Sequence, residues 1–125
     1  MLTFLAVGLG AAIGAWLRWG LSIWLNSPTD PVPYGTLAAN LLGGYLVGLA
    51  VAYFAHHGEF SPALRLFLIT GFMGGLTTFS TFSVEVFTLL ARAQYAMGLV
   101  AIAAHLAGSL TMTGLGVWSF RLVKG

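Results

Sequence analysis

Gly71-Phe72-Met73-Gly74-Gly75-Leu76-Thr77-Thr78-Phe79-Ser80-Thr81-Phe82-Ser83-Val84-Glu85 sits inside an apolar stretch that opens at Ser61-Pro62 and runs to about Ala91. Ser61 followed by Pro62 reads as a helix N-cap with proline at the first helical position. The stretch is therefore a helix, but it is too long for one straight crossing, which needs about 20 residues for roughly 30 Å of hydrocarbon. Its centre argues against continuity. Glycine in a helix costs about 1 kcal/mol relative to alanine, and Ser and Thr side chains compete for backbone hydrogen bonds. At membrane depth, non-helical backbone survives only where protein buries it or where it lines a water-filled path. The sequence thus predicts an interrupted helix with its break near residues 74–80, and places the leading functional candidate at the break.

The rest of the chain has the composition this requires. Hydrophobic residues make up 58% of the 125 and charged residues 6%, against about 25% charged in soluble domains. One all-α transmembrane domain over residues 1–125 is expected, with spans at about 2–25, 34–55, 62–91 and 94–122. Asn26-Ser27-Pro28-Thr29-Asp30-Pro31-Val32-Pro33 separates the first two spans, because its prolines cannot sit in a helix interior. His56-His57-Gly58-Glu59 ends the second, and Arg121 and Lys124 suit the C-terminal, interfacial end of the fourth. The first span lacks a basic leading region and a clear cleavage site, so it reads as retained rather than as a signal peptide. Cysteine is absent, which removes disulfides, thiolate metal sites and cysteine catalysis. Asp30 and Glu59 fall in separate loops, so no carboxylate pair suggests an enzyme. Lipid is the expected surrounding, and no nucleic-acid partner is expected.

Four spans put Arg65, Arg121 and Lys124 on one side and Arg18 and Arg92 on the other. Lys/Arg bias normally fixes orientation. Its near balance predicts insertion both ways and an antiparallel, dual-topology homodimer. Gly10-x-x-x-Gly14, Gly44-x-x-x-Gly48 and Gly71-x-x-x-Gly75 allow close helix approach, either within one chain or between copies.

Polar residues inside spans need partners. Asn40 sits mid-span, where an unpaired amide costs several kcal/mol, about 2–7 by reference state. His105, Ser109 and Thr113 recur every four residues and form one polar stripe on the fourth span. Glu85 comes after the break, and an acid there suits a helix N-terminal region or a proton-coupled transporter. Arg18, near the end of the first span, is placed to snorkel to headgroups. Trp16, Trp19, Trp24 and Trp118 read as interfacial anchors.

The run Gly71–Glu85, together with Gly35-Thr36-Leu37-Ala38-Ala39-Asn40-Leu41-Leu42-Gly43 and the arginine near the end of span one, resembles the Fluc fluoride channels, also called CrcB proteins. The resemblance covers essentially the whole chain. It implies a multi-pass protein of the bacterial inner (plasma) membrane, built as a dual-topology homodimer with two pores and a central structural sodium ion. By position it implies pore roles for Phe79, Phe82 and Asn40, for the hydroxyls of Thr78, Ser80 and Thr81, and for a track at His105, Ser109 and Thr113. Sodium would be held by the backbone carbonyls of Gly74 and Thr77 from both subunits. Where the family track can begin with tyrosine, this chain has Ala101.

These assignments have a physical rationale. An anion leaving water for a low-dielectric pore needs donors at each step, and neutral donors let it depart again. Phenylalanine edges are electropositive and can face an anion, and carbonyl oxygens are hard ligands suited to a hard cation. The reading is passive fluoride export. Its competitor is a small dual-topology, proton-coupled multidrug or cation exporter using Glu85, although spans one and two carry no acid. A silent assembly protein would leave the Ser/Thr break without a reason.

Overall fold

The computed structural model describes residues 1–124. It is all-helical, with four helical stretches long and apolar enough to cross a membrane, at Leu2–Leu25, Tyr34–His56, Pro62–Ala91 and Tyr95–Lys124. The first is α1 (Leu2–Leu25) and the second is α2 (Tyr34–His56). The third comprises α3 (Pro62–Arg65), a π-helical stretch Leu66–Met73, the short α4 (Gly74–Leu76) and α5 (Phe79–Ala91). The fourth is α6 (Tyr95–Lys124). All four expected spans are present, within about two residues of the sequence reading at each end.

Span three begins as its sequence dictates. Ser61 Oγ accepts from the N–H of Leu64 at 3.2 Å, with Pro62 in the first turn. It is interrupted at Thr77 (φ −87°, ψ 156°) and Thr78 (φ −149°, ψ 122°), both extended. The break therefore occupies two residues inside the expected window. The π-helical stretch before it has no counterpart in the sequence reading, because apolar periodicity does not separate i→i+5 from i→i+4 bonding.

Helix pairing is governed by the glycines. α1 lies along the first half of span three, and α2 lies along α6. A Cβ on Gly10 would strike the Phe67 carbonyl and one on Gly14 the Phe72 carbonyl, while a Cβ on Gly71 would lie 2.7 Å from Val7 O. Across the bundle, a Cβ on Gly44 would come within 2.9 Å of Ser109 O, and one on Gly48 would meet the Thr113 carbonyl. All three glycine pairs are thus consumed within one chain, where they let backbones touch. The buried apolar core is slender: Val32, Phe82, Val86, Leu89 and Ala101 join α5, α6 and the loop after α1. Much of the outer surface is apolar and exposed, Trp16, Trp19, Trp24 and Trp118 included, as lipid contact requires.

Candidate functional site

Two extended residues in the middle of a span leave backbone groups without helical partners, and side chains from other helices take them. Asn40, on α2, meets Thr78 in both directions: its Nδ2 donates to the Thr78 carbonyl at 3.0 Å and its Oδ1 accepts from the Thr78 N–H at 2.7 Å. The side-chain amide thus stands in for a missing peptide neighbour. From the opposite side, Arg18 of α1 donates its Nε–H to the Gly75 carbonyl at 3.0 Å. Snorkelling alone does not describe Arg18, because one donor is turned inward to the break. Thr78 also caps α5, its Oγ1 accepting from the Thr81 N–H at 3.2 Å and donating to Thr81 Oγ1 at 3.1 Å.

The orientation of Asn40 decides the state of a second residue. Its remaining Nδ2 proton points to His105 Nδ1 at 2.9 Å. An amide NH2 only donates, so Nδ1 is the acceptor and the imidazole proton sits on Nε2. His105 is 3% exposed and its Nε2 has no partner among the described residues. A buried donor in this condition marks a place where a ligand or water belongs.

His105 helps to line an open cavity of about 460 Å³ together with Asn40, Gly43, Gly44, Gly74, Thr77, Thr78, Phe79, Phe82 and Ser109, with Val47, Ile69, Met73, Leu106 and Leu110 as its apolar lining. The Phe79 and Phe82 rings meet edge to face at 5.4 Å and 64°, and Phe82 lies 4.6 Å from the imidazole. Phe82 is buried at 6% exposure, whereas Phe79 is 71% exposed on the single chain. Six residues expected to line a pore, Asn40, Thr78, Phe79, Phe82, His105 and Ser109, are brought together here with Gly74 and Thr77.

Three others are used differently. Thr113 Oγ1 donates to the Gly44 carbonyl at 2.9 Å and to Ser109 O at 3.1 Å, which ties α6 to α2 and places its hydroxyl outside the cavity lining. Thr81 serves the α5 cap, and exposed Ser80 lies only at the edge of that cluster, 3.4 Å from Thr78 Oγ1. Glu85 Oε2 accepts from Thr36 Oγ1 at 2.7 Å. It faces a separate cavity of about 430 Å³ at the loop end, shared with Asp30, Arg92 and Gln94.

Thr77 turns its hydroxyl back to the Met73 carbonyl at 2.9 Å, and its methyl occupies the space that a Cβ on Gly43 would fill. Among the described residues no donor reaches the carbonyl oxygens of Gly74 or Thr77. Sequence reading did not single out Thr36 or Gly43 for a role of its own. The signal was present, since both lie three or four positions from Asn40 on one α2 face.

Residues 5–117 match the family model described as CrcB-like protein, Camphor Resistance (CrcB). A fluoride-specific ion channel FluC of Thiobacillus denitrificans is 57% identical over 99% of this chain and all of its own length. A protein of the same name from Cupriavidus pinatubonensis is 57% identical, covering 98% of this chain and 97% of the relative. One from Chromohalobacter salexigens is 55% identical, covering 98% and 93%.

Proposed function

Since this chain belongs to the CrcB-like family, we propose that it is a multi-pass membrane channel through which fluoride leaves the cell passively. The observation that carries this reading is the buried, unpartnered Nε2–H of His105, set beside Phe82 and Ser109 in a cavity bounded by the interrupted helix. A dehydrated halide needs a neutral donor at such a point, and a ring edge adds weak attraction without trapping it. Asn40 enters this account as a holder of the break rather than a free donor, because both its Nδ2 protons are engaged within the chain.

The cavity is built on one face of a single chain, and Phe79 projects from it exposed. A second, antiparallel copy that covers this face would enclose each pathway and give two pores per dimer. A structural sodium ion between the copies fits the chemistry of the carbonyls at Gly74 and Thr77, which are hard oxygen donors left without hydrogen bonds among the described residues. When bound, such an ion supplies positive charge that holds two breaks together. The residues of this chain contribute the carbonyls and their orientation.

Fluoride efflux from proteoliposomes, measured with a fluoride electrode beside a chloride control, tests the reading. We expect fast electrogenic fluoride efflux that ignores an imposed proton gradient, and little chloride efflux. Phe82→Ile and Phe79→Ile should each abolish flux with the assembly intact by size-exclusion chromatography. Parent-like flux in both variants would remove the assigned pathway, and flux driven by a proton gradient would favour the exporter built on Glu85.

A further inference from the structure

Gly10, Gly14 and Arg18 recur every four residues and so lie on one face of α1. That face rests on span three in order. A Cβ on Gly10 would meet the backbone of Phe67 and Phe72, one on Gly14 that of Phe72 and Leu76, and Arg18, one turn further, reaches Gly75. The two glycines act as notches that bring the α1 backbone close enough for a side chain one turn on to enter the break. Gly75 returns the contact, since a Cβ there would strike the Ala11 carbonyl. Arg18 is half-buried, and the acid that lies within a span, Glu85, is bound to Thr36 instead. What Arg18 Nε–H meets is a carbonyl in the last turn of the helical first half of span three, where carbonyls lack helical partners.

We propose that Arg18 is a positioning residue: by holding the Gly75 carbonyl through Nε–H, it fixes the direction in which the neighbouring Gly74 and Thr77 carbonyls face. Adjacent glycines at 74 and 75 have wide backbone freedom, so without an external anchor the peptide planes before the break can rotate. Asn40 fixes the downstream side through Thr78, and the Gly43 notch seats the Thr77 methyl. Upstream, Gly75 packs on Ala11 and Thr77 bonds back to Met73, and Arg18 adds the one side-chain hydrogen bond to the Gly75 carbonyl itself. Its ligand-free role is structural, and its functional consequence is the affinity of the carbonyl array for a monovalent cation. The inference rests on the reading of Gly74 and Thr77 as sodium ligands.

The test is thermal unfolding of the purified protein, monitored by tryptophan fluorescence, across a sodium chloride series balanced with N-methylglucamine chloride. For the parent we expect a melting temperature that rises with sodium to a plateau. Residues that orient metal ligands typically change metal affinity by about 10–100-fold, so Arg18→Gln should need about tenfold more sodium or beyond for half the rise. Arg18→Lys keeps the charge without the planar guanidinium and its Nε–H, and should shift in the same direction. Should Arg18→Gln fail to fold, the lysine variant decides. Arg92→Gln, which removes an exposed cation elsewhere, should keep the parent midpoint. A parent-like sodium midpoint in the Arg18 variants, or an equal shift in Arg92→Gln, overturns the positioning role while leaving the sodium site in place. A fluoride-conducting parent whose melting ignores sodium instead overturns the sodium site, and the role of Arg18 falls with it.

Discussion

The chain leaves the helix twice within a short length of span three and its exit, between Leu76 and Phe79 and again between Ala91 and Tyr95, and it does so by opposite means. The second exit closes on itself. Arg92 N–H donates to Thr88 O, Ala93 N–H to Leu90 O and Gln94 N–H to Leu89 O, with Ala93 in the left-handed region at φ 59°. This is a local backbone cap, and its residues are exposed. The first exit closes on itself only through Thr77, whose N–H and hydroxyl both donate to Met73 O. Its groups are met by Asn40 from α2 and Arg18 from α1, with Thr78 capping the start of α5. At a span end bulk water can serve any group left over, whereas at mid-membrane only protein or a water-filled path can. A break that must be held by other helices is thereby fixed to the tertiary structure, which a binding site requires.

Breaking the first exit should cost most. Asn40→Leu strands the Thr78 N–H and carbonyl, and at about 1–3 kcal/mol for each buried unpaired group the loss is about 2–6 kcal/mol. Unfolding in denaturant and fluoride flux should both register it. A loss no larger than that of the next variant would mean that the break supports itself. Thr78→Val keeps the shape and removes the α5 cap acceptor, for which about 1 kcal/mol is expected from thermal melting. At the second exit the sign reverses. A left-handed alanine costs about 1–2 kcal/mol, and glycine gives back about 0.5–1 kcal/mol through its looser unfolded chain. Ala93→Gly should therefore raise the melting temperature slightly, with flux unchanged. A fall would show that the turn depends on contacts made by the alanine methyl.

Legibility in the sequence tracks the same divide. The Ser61-Pro62 start, the proline-rich loop after α1 and the interruption inside 74–80 could be read because each arises from nearby residues. Spacing pairs Phe79 with Phe82 and His105 with Ser109, while the grouping of the two pairs was implied by the family resemblance. The engagement of Thr113 with Gly44 could not be read, and neither could the pairing of Thr36 with Glu85, since each joins helices far apart in the chain. The glycine pairs show the limit plainly: their spacing announced a close contact and left open whether a second copy made it.

By itself, then, the sequence determined how many spans there are, where they end and where the third gives way, because hydrophobic length and helix-breaking residues act over a few neighbours. Tertiary structure alone decided which side chains hold the broken ends, which hydroxyls are spent inside the protein and that the buried Nε2 of His105 has no partner among the described residues. A hydrogen bond between distant residues exists only once packing has brought both into reach.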